Sequence, residues 1–150
     1  MLTEDFEQFY FKFRAYFYKR IVGIIGTRKG SLSATELFCL EIIQLLDNPT
    51  ISQFAAFLDI SLPNANYKIN CLVEKDYIEK VNSESDKREY RLVPTDKYRR
   101  YRQMNSDYNT LFINQVQQSL NEEEAKQMSA LLQKLNQALD LPILSGNTER

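Results

Sequence analysis

Apolar residues recur along this chain mostly at helical spacing, three or four positions apart, so helices dominate the reading. Phe6, Phe9, Tyr10, Phe13, Phe17, Ile21 and Ile24 form one line, and Phe11, Ala15, Tyr18, Val22 and Ile25 run beside it. Eight of the thirteen residues from Phe6 to Tyr18 are aromatic. A helix apolar around most of its circumference needs burial on more than one side. In a chain of 150 residues, a second subunit is the obvious other surface.

After a break from Gly26 to Gly30, Ser33 to Glu36 form a capping box, and Leu32 and Leu37 are spaced as a hydrophobic staple. The helix they open carries Leu37, Leu40, Ile43 and Leu46 and ends before Pro49. Thr50 and Gln53 make a second capping box, opening a short helix with Ile51, Phe54, Ala55 and Leu58 inward. Asp59 to Ser61 form a turn, and Ser61 caps a further helix with Pro63 in its first turn. Leu62, Ala65, Ile69, Leu72 and Val73 fall on one side of it; Pro63, Asn64, Tyr67, Asn70, Cys71 and Lys75 fall on the other.

The period then changes. Residues 77–81 and 89–93 read as two strands joined by a polar tip from Asn82 to Arg88. Thr95 and Asp96 start a long helix through Tyr98, Tyr101, Leu111, Phe112 and Val116. Asn121 to Glu124 cap a last helix bearing Met128, Leu131, Leu132, Leu135 and Leu139, which Pro142 stops. The fold class is therefore mainly α: a winged helix-turn-helix core with a two-stranded β-wing, flanked by N-terminal and C-terminal helices that pair with a second copy.

Composition narrows the function. A 43% apolar chain with nine Phe and nine Tyr can build a core. No stretch approaches the roughly 20 apolar residues of a membrane span, and the first residues carry no basic signal region, so a cytoplasmic location is expected. Cys39 and Cys71 stand far apart and histidine is absent, which leaves no disulfide framework and no Cys/His zinc pattern. Lacking also a glycine-rich phosphate loop, the chain reads as no enzyme and needs no cofactor or metal. Net charge is −1, but residues 61–102 hold ten Lys/Arg against seven Asp/Glu, while the remainder holds nine against thirteen. That basic zone coincides with the turn, the capped helix and the hairpin, and is consistent with one region facing double-stranded DNA, the expected partner.

The chemistry fits that zone. An inward stripe fixes the capped helix to the core, and its other face offers Ser61, Pro63, Asn64, Asn66, Tyr67 and Asn70 to a major groove. Asparagine can pair with the N6/N7 edge of adenine. At the hairpin tip, Asp86, Lys87 and Arg88 are the candidates for minor-groove contact, with the Asp86 carboxylate placed to orient the Arg88 guanidinium. Tyr10, Phe13 and Phe17 are chiefly expected as dimer core, and they are also the candidates for lining an effector pocket with the long fifth helix. Cys39 reads as a small core residue; Cys71, on the outward side, is the less inert thiol.

In its full order of elements, and most specifically from Ile60 to Lys97, the chain resembles the MarR family (multiple antibiotic resistance regulators). Ile60-Ser61, the run from Leu72 to Ile78, Asp86-Lys87-Arg88, and the run from Leu92 to Lys97 carry the resemblance. It implies one domain over residues 1–144, with dimerisation helices at about 1–30 and 98–141, a DNA-binding lobe at about 33–97, and a flexible tail at 145–150. It further implies a homodimer on a pseudo-palindromic operator with half-sites about one helical turn apart, often repressing and released by a small-molecule effector. The chain departs from the family at Asp76 and Tyr98, where glycine is usual, and at Pro94, where leucine is common. The rival reading is a helical dimerisation or adaptor protein that kept the fold without binding DNA.

Overall fold

The computed structural model describes residues 1–25, 30–84, 86 and 88–139, with backbone alone at 24 and 104–109. Among the described residues, six helices and one hairpin follow in order: α1 (Leu2–Ile24), α2 (Ala34–Leu45), α3 (Ile51–Phe57), α4 (Leu62–Glu74), β1 (Ile78–Asn82), β2 (Tyr90–Pro94), α5 (Asp96–Gln118) and α6 (Glu122–Ala138). The strands sit one residue later than the sequence pattern predicts, because Tyr77 still belongs to the turn that closes α4. Most of the break from Gly26 to Gly30, together with Lys87, Pro142 and the tail, lies outside the described residues.

Side-chain caps set the helix starts. The Glu36 N–H donates to Ser33 Oγ at 3.2 Å while Ser33 N–H donates to Glu36 Oε2 at 2.7 Å. Thr50 with Gln53, and Asn121 with Glu124, repeat this reciprocal pair. Ser61 Oγ accepts from the Asn64 N–H at 3.3 Å, and Thr95 Oγ1 from Tyr98 N–H at 3.3 Å.

The core lies in the segment from α2 to the start of α5. Leu40, Ile43, Phe54, Ala65, Ile69, Leu72, Leu92 and Tyr98 are essentially inaccessible, and Leu32 and Leu37 of the staple are buried with them. From α1, Ile21 joins this cluster with Phe17 packed at its edge; α6 buries none of its residues. Strand β2 is paired on both sides. It runs antiparallel to β1 in the register Lys80↔Leu92, and its other edge meets the residues before α3, where Leu92 N–H donates to the Pro49 carbonyl at 2.9 Å.

The inward stripe of α4 is narrower than its sequence suggests. Ala65, Ile69 and Leu72 make a seam at i, i+4 and i+7, whereas Leu62 and Val73 are 50% and 37% exposed. Leu62 precedes the turn that touches the core, and Val73 sits one residue off the seam. Lys75, expected outward, bends back instead: its ammonium meets Glu36 Oε2 at 2.7 Å and the Ser31 carbonyl at 2.8 Å. Burial disfavours the charged Glu36 carboxylate, but Lys75 and the Ser33 hydrogen bonds outweigh it and hold the group below its ordinary pKa.

Both exits from the helix-turn-helix use aspartate in the left-handed region. Asp59 has φ 53° and Asp76 φ 62°. At each, two backbone bonds close the cap: Ile60 N–H to the Ala55 carbonyl with Asp59 N–H to Ala56, then Tyr77 N–H to Leu72 with Asp76 N–H to Val73. Any side chain carries a steric cost there, smaller for aspartate than for most. Asp76→Gly is therefore expected to stabilise the fold by about 0.5–1 kcal/mol. In a chain of this size that raises the melting temperature by roughly 2 °C; an unchanged or lowered midpoint would count against the cap as described.

Candidate nucleic-acid interface

The left-handed cap at Asp59 fixes the angle between α3 and α4, so the Ser61-capped end of α4 projects from the lobe. Pro63, Asn64, Tyr67 and Asn70 are exposed there, and Tyr67, 70% exposed, stands at the centre of the outward face. Ser61 spends its acceptor on the cap. Asn66 lies toward the flank, half-buried, with Nδ2 donating to the Leu62 carbonyl at 3.1 Å. Its amide is thus drawn onto its own helix, while Asn64 makes no side-chain hydrogen bond among the described residues. Asn70 is held from the hairpin: Lys80 Nζ donates to its Oδ1 at 2.7 Å.

The exit of α4 is pinned by α2 and α5 together. Lys97 Nζ donates to the Lys75 carbonyl at 2.6 Å and lies 4.5 Å from the Tyr77 ring centroid. Thr95 Oγ1 donates to the Asp76 carbonyl at 2.7 Å, and Thr95 N–H to Tyr77. A shift of α5 is therefore felt at once by the end of α4. Sequence pattern missed Lys75, Lys80 and Lys97 as positioning residues, because each acts through a partner 10 to 44 positions away.

The wing is shaped by Asp86. Its Oδ1 accepts from the Arg88 backbone N–H at 2.8 Å, and its carbonyl accepts from Glu89 N–H at 3.0 Å. One carboxylate oxygen of Asp86 thus holds the backbone at Arg88, the residue whose guanidinium the sequence reading had it orient. Arg88 is exposed at the tip. At the base, Arg91 Nη1 donates to the Asn48 carbonyl at 3.2 Å, tying the hairpin to the start of α3.

Cys39 is buried, and burial pushes its thiol pKa up, which suits packing rather than reactivity. Cys71 is half-buried on α4.

Away from this surface, two adjoining open cavities lie between α1 and α5, the larger of them also against α2. One, about 280 Å³, is lined by Phe13, Tyr16, Phe17 and Arg20 of α1 and by Leu111 and Phe112 of α5. Phe13 and Phe17 thus come together, with Phe112 edge-on to Phe13 at 5.4 Å between centroids. Tyr10 is not among its walls; it stacks on Phe6 beneath the Arg14 guanidinium and joins Phe13 and Phe17 around a shallower hollow on α1 itself. The other, about 450 Å³, is polar, with Arg20, Arg99, Arg102, Glu41 and Tyr98 around it. Burial, with Glu41 adding to it, pushes the Tyr98 phenol up to about 12.

Fold and surface together define a winged helix-turn-helix protein. Residues 32–90 match the model of the MarR family. FabT of Streptococcus pneumoniae, solved in complex with DNA, is 26% identical, with a TM-score of 0.68 over 93% of this chain and 98% of that one. A MarR-like transcriptional regulator from Thermotoga maritima (20% identity, TM-score 0.62, 87% and 94% covered) has the same fold. So does a MarR family protein from Bacillus stearothermophilus (14% identity, TM-score 0.69, 93% and 96% covered). No curated protein matches the chain. Among the described residues, no helix is long and apolar enough to cross a membrane.

Proposed function

We propose that this chain is a cytoplasmic, homodimeric transcriptional regulator that binds a pseudo-palindromic operator and represses the genes beside it. The observation that carries the reading is the shared exposure of Asn64, Tyr67 and Asn70 on the capped helix with Arg88 on the wing. A helix of this width fills a major groove, and an arginine-tipped hairpin suits the minor groove alongside. The DNA complex of FabT supports the same use of the fold. Dimerisation is supported by the exposed Phe6, Phe9 and Phe11 of α1 and Leu131, Leu132 and Leu135 of α6, apolar surface that a lone chain leaves in water.

Release by a small-molecule effector belongs to the same proposal. The two cavities share Arg20 and lie against α5, whose start holds the exit of α4 through Thr95 and Lys97. A ligand wedged between α1 and α5 would move the two reading helices of a dimer relative to each other.

Selection of bound fragments from genomic DNA tests the proposal. Recovery of a palindrome is expected, bound more weakly as salt rises. Asn64→Ala should lose about 1–2 kcal/mol on the recovered site and far less on random duplex. Equal losses on both would remove Asn64 as a reader. Absence of any salt-dependent binding would favour the adaptor protein instead.

A further inference from the structure

We infer that Lys80, seated on the Asn70 amide oxygen, turns this position of the helix toward guanine rather than adenine. The inference rests on the DNA-binding reading and specifies what one residue of it recognises. The Lys80 ammonium has three donors and no acceptor, so the amide end that faces it is the oxygen. At 2.7 Å that oxygen is engaged by a full charge.

The strand geometry explains why the contact forms. Lys80 shares a face of β1 with Ile78, which is 1% exposed and packs in the core, and it stands opposite the buried Leu92. Two residues along a strand return to the same face, so the Lys80 stem is directed over the core edge toward α4. Asn70 is the exposed polar residue that receives it.

Adenine recognition by asparagine needs both ends of the amide: Oδ1 accepts from N6 and Nδ2 donates to N7. Oδ1 has two lone pairs; the Lys80 ammonium takes one and sets a positive charge against a base amino group that approaches the other. What the pair offers outward is the two hydrogens of Nδ2 and the remaining N–H groups of Nζ. Guanine presents N7 and O6 in the major groove, both acceptors, and matches that pattern. Lys80 acts here as a positioning residue that sets specificity through its neighbour.

Selection from a randomised duplex pool, run with the full chain and three variants, tests this. Asn70→Ala identifies the base pair whose preference depends on Asn70. At that pair the unmodified protein is expected to enrich guanine, and Lys80→Met is expected to shift the preference toward adenine by about tenfold or more. The other pairs should keep their preferences. Lys80→Arg, which keeps a cationic donor, should retain guanine.

Three results would overturn the inference: enrichment of adenine by the unmodified protein at that pair, no Asn70-dependent pair, or uniform weakening by Lys80→Met with unchanged preferences. In each, a recovered motif would leave the DNA-binding reading standing. Failure of the unmodified protein to recover any motif removes that reading, and this inference with it.

Discussion

Replacing Phe13 and Leu135 with glutamate is expected to give a monomer that no longer holds a two-half-site operator. Phe13 packs on Phe112 within one chain and remains 44% exposed, and Leu135 is 51% exposed on a helix that buries nothing of its own. Covering a leucine or phenylalanine contributes about 1.5–3 kcal/mol, and in a symmetric pair each substitution acts twice. A buried carboxylate without a partner adds several kcal/mol more against association. Affinity for DNA should fall by orders of magnitude, since two half-sites held by one dimer bind far more tightly than either alone. Sedimentation of the variant and the unmodified protein at micromolar concentration checks this; an unmodified protein that sediments as a monomer would refute it.

The second large effect is expected at the wing. Arg88→Ala should weaken binding to every duplex by about 3 kcal/mol, roughly 1.5 for each of two wings. It should also flatten the log–log salt dependence by about 0.9 for each phosphate that the arginine no longer neutralises. Asp86→Ala should weaken binding too, although it removes a negative charge from the surface, because the Arg88 N–H loses its partner and the turn loosens. Asp86→Asn separates shape from charge: its oxygen can still accept from Arg88 N–H, so binding should be kept or improved. Tighter binding by Asp86→Ala would leave simple repulsion as the role of the acid.

Much of this was legible in the sequence wherever the cause was local. Ser33, Thr50, Ser61, Thr95 and Asn121 each cap a helix through a partner three residues away, a spacing that can be read directly. The hairpin was legible from its change of period, though shifted by one residue, because the cap at Asp76 claims Tyr77. What escaped was set by tertiary contact. Lys75 looked like a surface cation until Glu36 and Ser31 were brought beside it. Nothing in the spacing around Asn70 announced the Lys80 ammonium that β1 lays against its oxygen. The polar cavity around Arg20, Arg99 and Arg102 draws on helices far apart in sequence, and no spacing announces it.

The placement of the core has a thermodynamic consequence. Among the described residues, nearly all inaccessible side chains belong to the winged lobe, while α1 contributes Ile21 and α6 contributes none. In the proposed dimer, two long helices with so little intramolecular packing draw their order from what they touch in the partner. For such a chain, resistance to heat is a property of the solution as much as of the molecule: by mass action, the melting temperature climbs as protein concentration rises. At high dilution the terminal helices should give up protection against hydrogen exchange before α2, α3 and α4 do, so the molecule comes apart from its ends inward.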